Sequence, residues 1–412
     1  MSEDRPIPLW LGRSIALIGI LLVALNLRLA VTAISPIIDV INKDIALTSV
    51  GIGVIGMLPP IVFALSGFTA PAVAHRLGLE RSMVLAIALM VIGHLARAFA
   101  GSYLLLTIGS AIALLGMGMG NVLLPPAVKR YFPDRIGIVT SSYATLLAVS
   151  TAVPALLAAP VAEASGWRTS LGVWSILATA TLVPWLILLG RQRAERAAAA
   201  ADPAPEVETA APSAVTGLWR SPVAVAITVT FAVSSLNAYA AFAWLPEILV
   251  DITGMTAVSA GVMLSIFSFA GFPASIIAPI LVSRLKNVGW VILAGVAFFV
   301  TGYLGLIFAP SAATLLWVVL IGLGPILFPV CLVLINSRTR THGGSVALSG
   351  FVQGIGYTIG AFGPLVVGVL HDLSGGWIAP LVFLLATVLV GIGTALALRS
   401  RRYVEDELHA SA

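Results

Sequence analysis

The chain consists largely of apolar stretches that are each long enough to cross a lipid bilayer. A spanning helix needs about 20 mostly apolar residues, and twelve stretches approach or exceed this length. They cover residues 14–41, 50–73, 82–100, 103–124, 136–162, 169–189, 223–248, 256–282, 288–308, 312–335, 343–370 and 377–397. Strands of a membrane barrel would instead alternate over about 10 residues. The sequence therefore predicts an all-α integral membrane protein with twelve transmembrane helices.

One long polar segment divides these stretches into two groups of six. Residues 191–220 are rich in Ala, Pro and Glu and lack apolar periodicity, which is typical of a flexible linker. We therefore predict an N-terminal six-helix half at residues 1–190 and a cytoplasmic linker at 191–220. A C-terminal six-helix half with a short cytoplasmic tail is predicted at 221–412.

The two halves resemble each other in sequence. Matching residues recur at offsets of 204 to 211, namely Asn26 with Asn237, Pro36 with Pro246, Arg76-Leu77 with Arg284-Leu285, Leu124-Pro125 with Phe328-Pro329, and Gly166-Trp167 with Gly376-Trp377. Any single match would be expected by chance, but five in one order indicate duplication. A parallel repeat of six helices is a transporter arrangement in which substrate binds near the midplane, between the halves.

Basic residues are distributed unevenly between the two sides of the predicted bundle. With an even number of helices both termini lie on one side, and assigning that side to the cytoplasm places 18 of the 22 Lys and Arg there. Lys43, Arg97 and Arg168 fall on the other side, and Arg28 falls within the membrane. This bias follows the positive-inside rule. The basic loops then face anionic lipid, so we expect the bilayer as a partner and no nucleic acid.

Arg28 lies near the middle of the first apolar stretch, and no acidic residue of that stretch lies within one helical turn of it. A charged side chain at bilayer depth costs about 3 kcal/mol or more, so such residues usually face a protein interior or a water-filled cavity. A permanent cation without a nearby partner favours an anionic or strongly polar ligand. The alternative, in which Arg28 bonds backbone carbonyls or polar groups of a neighbouring helix, remains open.

Two strings resemble the major facilitator superfamily and, within it, the bacterial cyanate and 2-nitroimidazole porter family. They are NLRLAVTAISPII at Asn26–Ile38 and GNVLLPPAVKRYFP at Gly120–Pro133, and AWLPEIL at Ala243–Leu249 and LHDLSGGW at Leu370–Trp377 match the same style. The likeness extends over essentially the full length. It implies a secondary active or facilitative transporter that moves a small, cyanate-like anion or small polar molecule across the bacterial inner membrane by alternating access. Export of small heterocycles such as nitroimidazoles is the alternative.

The loop between the second and third stretches departs from the superfamily pattern. Arg76, Gly78 and Arg81 fit that pattern, but His75 stands where the superfamily has Asp, and Glu80 stands where it has a basic residue. The sequence therefore does not establish the acidic part of the charge lock that the superfamily forms at this loop.

The resemblance implies that the first, fourth, seventh and tenth helices line the cavity, with help from the second, fifth, eighth and eleventh. The candidate substrate-binding residues on these helices are Arg28, Asn26, Asn121, Asn237, Tyr239, Gln353 and Tyr357. Arg28 is the expected anion clamp, because a planar guanidinium can hold a small oxyanion through two hydrogen bonds. Gln353 and Tyr357 are four residues apart and share one helix face.

The first and seventh helices carry corresponding candidates. Asn26 and Arg28 are two residues apart, about 200° around a regular helix, so they share a face only if the helix is distorted. Pro36 allows local unwinding of that helix. Asn237 and Tyr239 mirror Asn26 and Arg28 in the repeat, which predicts an asymmetric cavity with a cation facing a phenol.

Patterns of catalysis and metal binding are missing from the sequence. It contains no H-E-x-x-H, P-loop or nucleophile elbow, and its five His and single Cys lack metal-ligand spacing. We therefore expect no enzyme activity, cofactor or metal.

None of the 17 Asp and Glu falls in the central third of a predicted span, which argues against a carboxylate-gated proton antiporter. A channel or receptor is a further alternative, but the duplication and central linker favour a carrier, which we expect to be a monomer.

Overall fold

The computed structural model describes residues 13–47, 49–201 and 215–410, and this part of the chain is helical without any strand. The first group of helices comprises α1 Ser14–Asn26, α2 Leu29–Thr32, α3 Ile38–Asp44, α4 Ser49–Leu77, α5 Leu79–Ala98, α6 Tyr103–Tyr131, α7 Ile136–Ser165, α8 Trp167–Gly172 and α9 Trp174–Ala201. The second group comprises α10 Pro222–Thr253, α11 Ala257–Arg284, α12 Gly289–Phe308, α13 Thr314–Leu323, α14 Leu327–Ser337, α15 His342–Ser374, α16 Ile378–Ala397 and α17 Val404–Ala410. Within the described residues, twelve helical spans are long and apolar enough to cross a membrane. This confirms the predicted all-α fold with twelve transmembrane helices.

Most helix ends lie within a few residues of the predicted ones, but the fourth and sixth spans run further. Helix α6 continues past Leu124, through Pro125 and Pro126, to Tyr131. Each proline removes one backbone donor, but neighbouring helices can satisfy the freed groups inside a membrane bundle. The fourth span therefore reaches well beyond its apolar stretch.

The predicted linker is helical at its beginning, because α9 runs on to Ala201. Residues 202–214 of this predicted linker lie outside the described residues. A 3₁₀ turn follows at Val215–Arg220. The division of the chain into two six-helix domains at this segment stays a prediction.

The first span is interrupted twice along its length. Helix α1 ends at Asn26 and α2 begins at Leu29, so Arg28 lies between them with φ −125° and ψ −3°. A 3₁₀ turn at Ser35–Ile37 contains Pro36, which removes a backbone donor. The distortion near Pro36 agrees with the sequence, whereas the break at Arg28 was not predicted from it.

Tryptophan and aspartate make the same contact once in each group of six helices. The Trp167 indole donates to Asp44 Oδ2 over 2.9 Å, and the Trp377 indole donates to Asp251 Oδ2 over 2.8 Å. Trp167 and Trp377 are among the residues that match in the sequence repeat. Repeated contacts of this kind support the inferred duplication.

The two groups of helices meet along α4 with α15, α7 with α11, and α6 with α15. Gly67 of α4 lies so close to Gly354 of α15 that a Cβ added at Gly67 would collide with the α15 backbone. Ser141 of α7 donates to the Ile276 carbonyl of α11 over 2.6 Å. Small residues at membrane helix interfaces allow this close backbone approach.

A lysine joins the two groups at the end of the bundle that carries Arg13 and Arg338, which we call the basic side. Lys129 Nζ donates to the Asn336 carbonyl over 3.0 Å, to the Thr339 carbonyl, and to Thr339 Oγ1 over 2.8 Å. Among the described residues, hydrogen bonds between the groups run from the region of Arg28 to this side. The two groups are therefore closed against each other on the basic side.

Candidate functional site

Aromatic rings and one phenol surround Arg28 where the two groups of helices meet. Its Nη2 donates to Tyr357 Oη over 3.3 Å, and its ζ carbon lies 5.0 Å from the Phe63 ring centre and 6.0 Å from that of Phe328. Such positions over ring faces stabilise a cation. Its Nη1 is buried without a hydrogen-bond partner among the described residues. In that part of the chain no carboxylate lies within ion-pair distance of Arg28.

A buried amide network holds the Tyr357 hydroxyl in place. Asn121 Nδ2 donates to Tyr357 Oη and to Gln353 Oε1, each over 2.8 Å. Gln353 Nε2 donates in turn to Ser349 Oγ over 2.9 Å. The Tyr357 oxygen thus accepts from both Asn121 and Arg28, and its own O–H remains available as a donor. The network fixes one edge of the Arg28 site.

Tyr239 lies beside this network on α10. Its ring centre is 6.3 Å from that of Tyr357, with the two rings inclined at 60°. Tyr239 is half-buried, as Arg28 is, and the structure gives its hydroxyl no hydrogen bond within the described residues. A guanidinium and two phenols therefore lie together where the two groups of helices meet, and their role as a substrate cavity stays a prediction.

Phenylalanine rings form the remaining walls of the Arg28 site, and the sequence did not predict their place there. Phe231 lies 5.0 Å from Tyr357 and 5.3 Å from Phe328, measured between ring centres, while Phe63 lies 5.4 Å from Tyr357. Phe328 precedes Pro329 and matches Leu124 in the sequence repeat. The repeat could therefore have singled out Phe328. Phe63 and Phe231 resemble any other apolar residue of a membrane span, so the pattern could not single them out.

The structure does not bring Asn26 and Asn237 to Arg28. Asn26 Nδ2 donates to Thr181 Oγ1 over 2.9 Å, and Asn237 Nδ2 donates to Thr387 Oγ1 over 3.1 Å. Asn237 Oδ1 also accepts from the Tyr303 hydroxyl over 2.9 Å. Both amides are fully buried and bond helices of their own group. Of the seven candidates, the structure therefore gathers Arg28, Asn121, Tyr239, Gln353 and Tyr357.

Comparisons with known proteins agree with this architecture. Residues 17–361 match the family described as Major Facilitator Superfamily. The chain is 32% identical over 376 residues to the uncharacterized transporter YycB of Bacillus subtilis (strain 168), covering 90% of each chain. It is 31% identical over 378 residues to the 2-nitroimidazole transporter of Escherichia coli (strain K12), covering 90% of this chain and 92% of the relative.

The chain is also similar to a more distant relative and to a solved structure. The cyanate transport protein CynX of Escherichia coli (strain K12) is 22% identical over 369 residues, covering 89% of this chain and 92% of that protein. The structure of the proton:xylose symporter XylE bound to 6-bromo-6-deoxy-D-glucose matches with a TM-score of 0.72 at 14% identity, covering 97% of this chain and 98% of that one. At this identity the solved structure shows the fold alone.

Proposed function

The chain belongs to the major facilitator superfamily, and on that premise we propose that it carries a small anionic, cyanate-like or polar planar molecule across the bacterial inner membrane by alternating access. It is a multi-pass membrane transporter and not an enzyme. The proposed site comprises Arg28, Asn121, Tyr239, Gln353 and Tyr357. Asn26 and Asn237 are not part of this site because their amides bond within their own groups of helices.

The observation that supports an anion most strongly is the uncompensated charge of Arg28. Aromatic faces and one phenol hold its guanidinium, and one of its nitrogens lacks a partner among the described residues. A planar guanidinium with an unused N–H can hold a small oxyanion in a fixed orientation. Tyr357 bonds Arg28 and Tyr239 packs beside Tyr357, so both hydroxyls are proposed as further donors. A negative charge on the substrate would balance the cation.

The proposal of alternating access is supported by the contacts between the two groups of helices. They close the basic side through the Gly67–Gly354 packing and the bonds of Lys129 to Asn336 and Thr339. Opening toward that side would require these contacts to separate while others form at the opposite side. The protein is proposed to work as a monomer, with its substrate bound between the two groups.

The basic side is proposed to be cytoplasmic, which places both termini and residues 191–220 there. A single cysteine introduced into the linker should react with a membrane-impermeant maleimide only in inside-out vesicles. The native Cys331 is buried and should not interfere. Labelling of the linker cysteine from the periplasmic side would contradict the proposed topology.

Export of small heterocycles is the second candidate function. The rings of Phe63, Phe328 and Tyr357 offer flat apolar surfaces at the same site, and one relative is a 2-nitroimidazole transporter. A neutral heterocycle would use these rings and the Tyr239 hydroxyl, and it would leave the charge of Arg28 without a counterion. The direction of transport distinguishes this function from uptake.

A thermal-shift screen of the purified protein tests the substrate class. Ligands that bind only the folded state raise the unfolding temperature by mass action. We expect cyanate, nitrite, formate or acetate to stabilise the protein more than neutral imidazoles at equal concentration. Stabilisation by imidazoles alone would favour the export function. Counterflow in proteoliposomes then tests the carrier mechanism, since a channel shows no trans-stimulation.

A further inference from the structure

A polar cavity lies on the basic side, away from Arg28. Its volume is about 270 Å³, and its lining includes Arg13, Glu80, Arg130, Tyr131 and Arg191. These residues come from the start of α5, the end of α6, the later part of α9, and Arg13 just before α1. The cavity thus opens at the edge of the first group of helices, where spans meet the interfacial region.

The charges that line this cavity are only partly paired. Arg13 bonds Asp134 over 2.7 Å, and this hydrogen bond from the Arg13 guanidinium holds the pKa of the Asp134 carboxyl below its usual range. Arg130 Nε lies 3.1 Å from Glu80 Oε1. Arg191 has no ion pair with any described residue. Asp134 is shared with Arg135, whose Nε lies 3.5 Å from Asp134 Oδ2. The arginines therefore outnumber the carboxylates that pair with them, and Arg191 remains for a ligand.

Glu80 contributes an acceptor that the protein leaves unused. Its side chain is only 1% exposed, and the Tyr131 hydroxyl donates to its Oε1 over 2.7 Å. Its Oε2 is buried and has no hydrogen-bond partner among the described residues. A buried carboxylate oxygen without a donor is costly, so a ligand that brings hydroxyl groups into the cavity would satisfy it. Glu80 also supplies the buried acidic group that the superfamily pattern did not establish for this loop.

The surface beside the cavity suits an acyl chain. Val183, Ile187 and Arg191 recur every four residues on α9 and so share one face of the helix. Val183 is 57% exposed and Ile187 is 43% exposed, while Leu188 lines the cavity itself. An apolar, lipid-facing surface therefore continues directly into the charged cavity, and a soluble phosphate ester would make no use of it.

We propose that this cavity binds the headgroup of a singly charged anionic phospholipid of the phosphatidylglycerol type, with the phosphodiester at Arg191 and headgroup hydroxyls at Glu80 Oε2. Basic pockets between membrane helices at the lipid interface are suited to such headgroups. The negative charge of the phosphodiester matches Arg191, which has no ion pair with any described residue. The glycerol hydroxyls match the unused carboxylate oxygen, and the acyl chains match the exposed face of α9.

Native mass spectrometry of the delipidated full chain tests this proposal with three probes: dioleoyl phosphatidylglycerol, dioleoyl phosphatidylethanolamine and glycerol 3-phosphate. We expect phosphatidylglycerol to bind about fivefold or more tightly than phosphatidylethanolamine. Arg191→Gln should reduce phosphatidylglycerol affinity about five- to tenfold, as expected for the loss of one interfacial Arg. Arg193→Gln is the matched control, because Arg193 is exposed on the same helix and does not line the cavity; it should bind as the unsubstituted protein does.

Three results would overturn the assignment. Equal or tighter binding of phosphatidylethanolamine would show that the headgroup charge is not recognised. Equal phosphatidylglycerol affinity in the Arg191→Gln and Arg193→Gln variants would show that Arg191 is not the phosphate contact. Glycerol 3-phosphate binding as tightly as phosphatidylglycerol would assign the cavity to soluble phosphate esters.

Discussion

Asn26 and Asn237 occupy matching positions in the first and seventh spans, and their surroundings match as well. Each amide donates to a threonine hydroxyl in the last span of its own group, Thr181 in one case and Thr387 in the other. Two residues after each asparagine the match ends, because Arg28 carries a positive charge and Tyr239 carries a neutral phenol. Arg28 contacts the opposite group through Tyr357, whereas Tyr239 packs beside Tyr357 within its own group.

This difference separates contacts that maintain each group of helices from contacts that involve both. The asparagine–threonine pairs and the aspartate–tryptophan pairs are repeated because each group must pack its own helices. A small substrate bound between the groups has no such symmetry. Its charged part needs one cation and its remaining surface needs different partners. The two halves therefore differ at Arg28 and Tyr239, the positions at which the two groups of helices would enclose the proposed substrate.

The largest effect is expected at the diverged position. Arg28→Gln should remove ~2–4 kcal/mol of binding free energy, or roughly 30- to 1000-fold in affinity, because a charge-assisted contact is lost. The unfolding temperature should change little. Binding is measured by calorimetry with the most stabilising anion from the thermal-shift screen, on the same preparation used for the melting curve.

Arg28→Lys serves as the matched control for charge, since it keeps the cation and removes the planar fork. It should also bind poorly, because an ammonium cannot reproduce two parallel hydrogen bonds. If Arg28 were structural instead, Arg28→Gln would lower the unfolding temperature, and the surviving protein would still bind.

The next largest effect is expected on stability at the matched asparagines. Asn237→Ala would leave the buried Tyr303 hydroxyl without its acceptor, which costs ~1–3 kcal/mol. Asn26→Ala should cost less, near ~1 kcal/mol, because the Thr181 hydroxyl keeps its bond to the Leu177 carbonyl. Thermal melts of both variants measure this order. A loss of substrate affinity in a well-folded Asn237→Ala or Asn26→Ala variant would return that residue to the site.

A smaller effect on binding is expected from Tyr357→Phe. The substitution removes the oxygen that accepts from both Arg28 and Asn121, and we expect about a five- to tenfold loss of affinity, equivalent to ~1–1.4 kcal/mol. Tyr303→Phe is the control, because it removes an equally buried hydroxyl that bonds Asn237 instead. Equal affinities in the two variants would argue against a role for Tyr357 at the site.

The smallest effect is expected at the aspartate–tryptophan pairs. Hydrogen bonds from Trp167 and Arg168 hold the pKa of Asp44 below its usual value of 3.8. A depressed pKa stabilises the folded state above the ordinary value, and this contribution is lost as the pH falls through the lower folded value. Asp44→Asn should therefore melt slightly below the unsubstituted protein at pH 7, and the difference should shrink as the pH falls below about 3.8 and disappear only below the lower folded pKa. A difference that persists in acid would exclude the carboxylate charge as its cause.

The sequence was sufficient for the fold, because each span is long, apolar and separated from the next by polar residues. It was also sufficient to identify Arg28, Asn121, Gln353 and Tyr357 as unusual polar groups in apolar helices. Helical periodicity assigns residues to faces, but it does not say which neighbouring helix each face meets. The sequence therefore predicts Asn26 and Asn237 beside Arg28, whereas each bonds a threonine in its own group of helices.

The aromatic walls and the break at Arg28 lay beyond what the sequence could indicate. Phe63 and Phe231 are ordinary apolar residues for a membrane span, and their role depends on tertiary contacts with Tyr357. The interruption between Asn26 and Leu29 contains neither proline nor glycine. No local signal therefore identifies the position at which the first span is interrupted.

The central claim is that the charge of Arg28 meets a negative charge on the substrate, and a two-by-two comparison tests it most directly. The affinities of formate or acetate, whichever binds better, and of its neutral amide are measured in the unsubstituted protein and in Arg28→Gln. We expect the unsubstituted protein to bind the anion at least about tenfold more tightly than the amide, and Arg28→Gln to bind the two alike. The same preference for the anion in both proteins would contradict the claim.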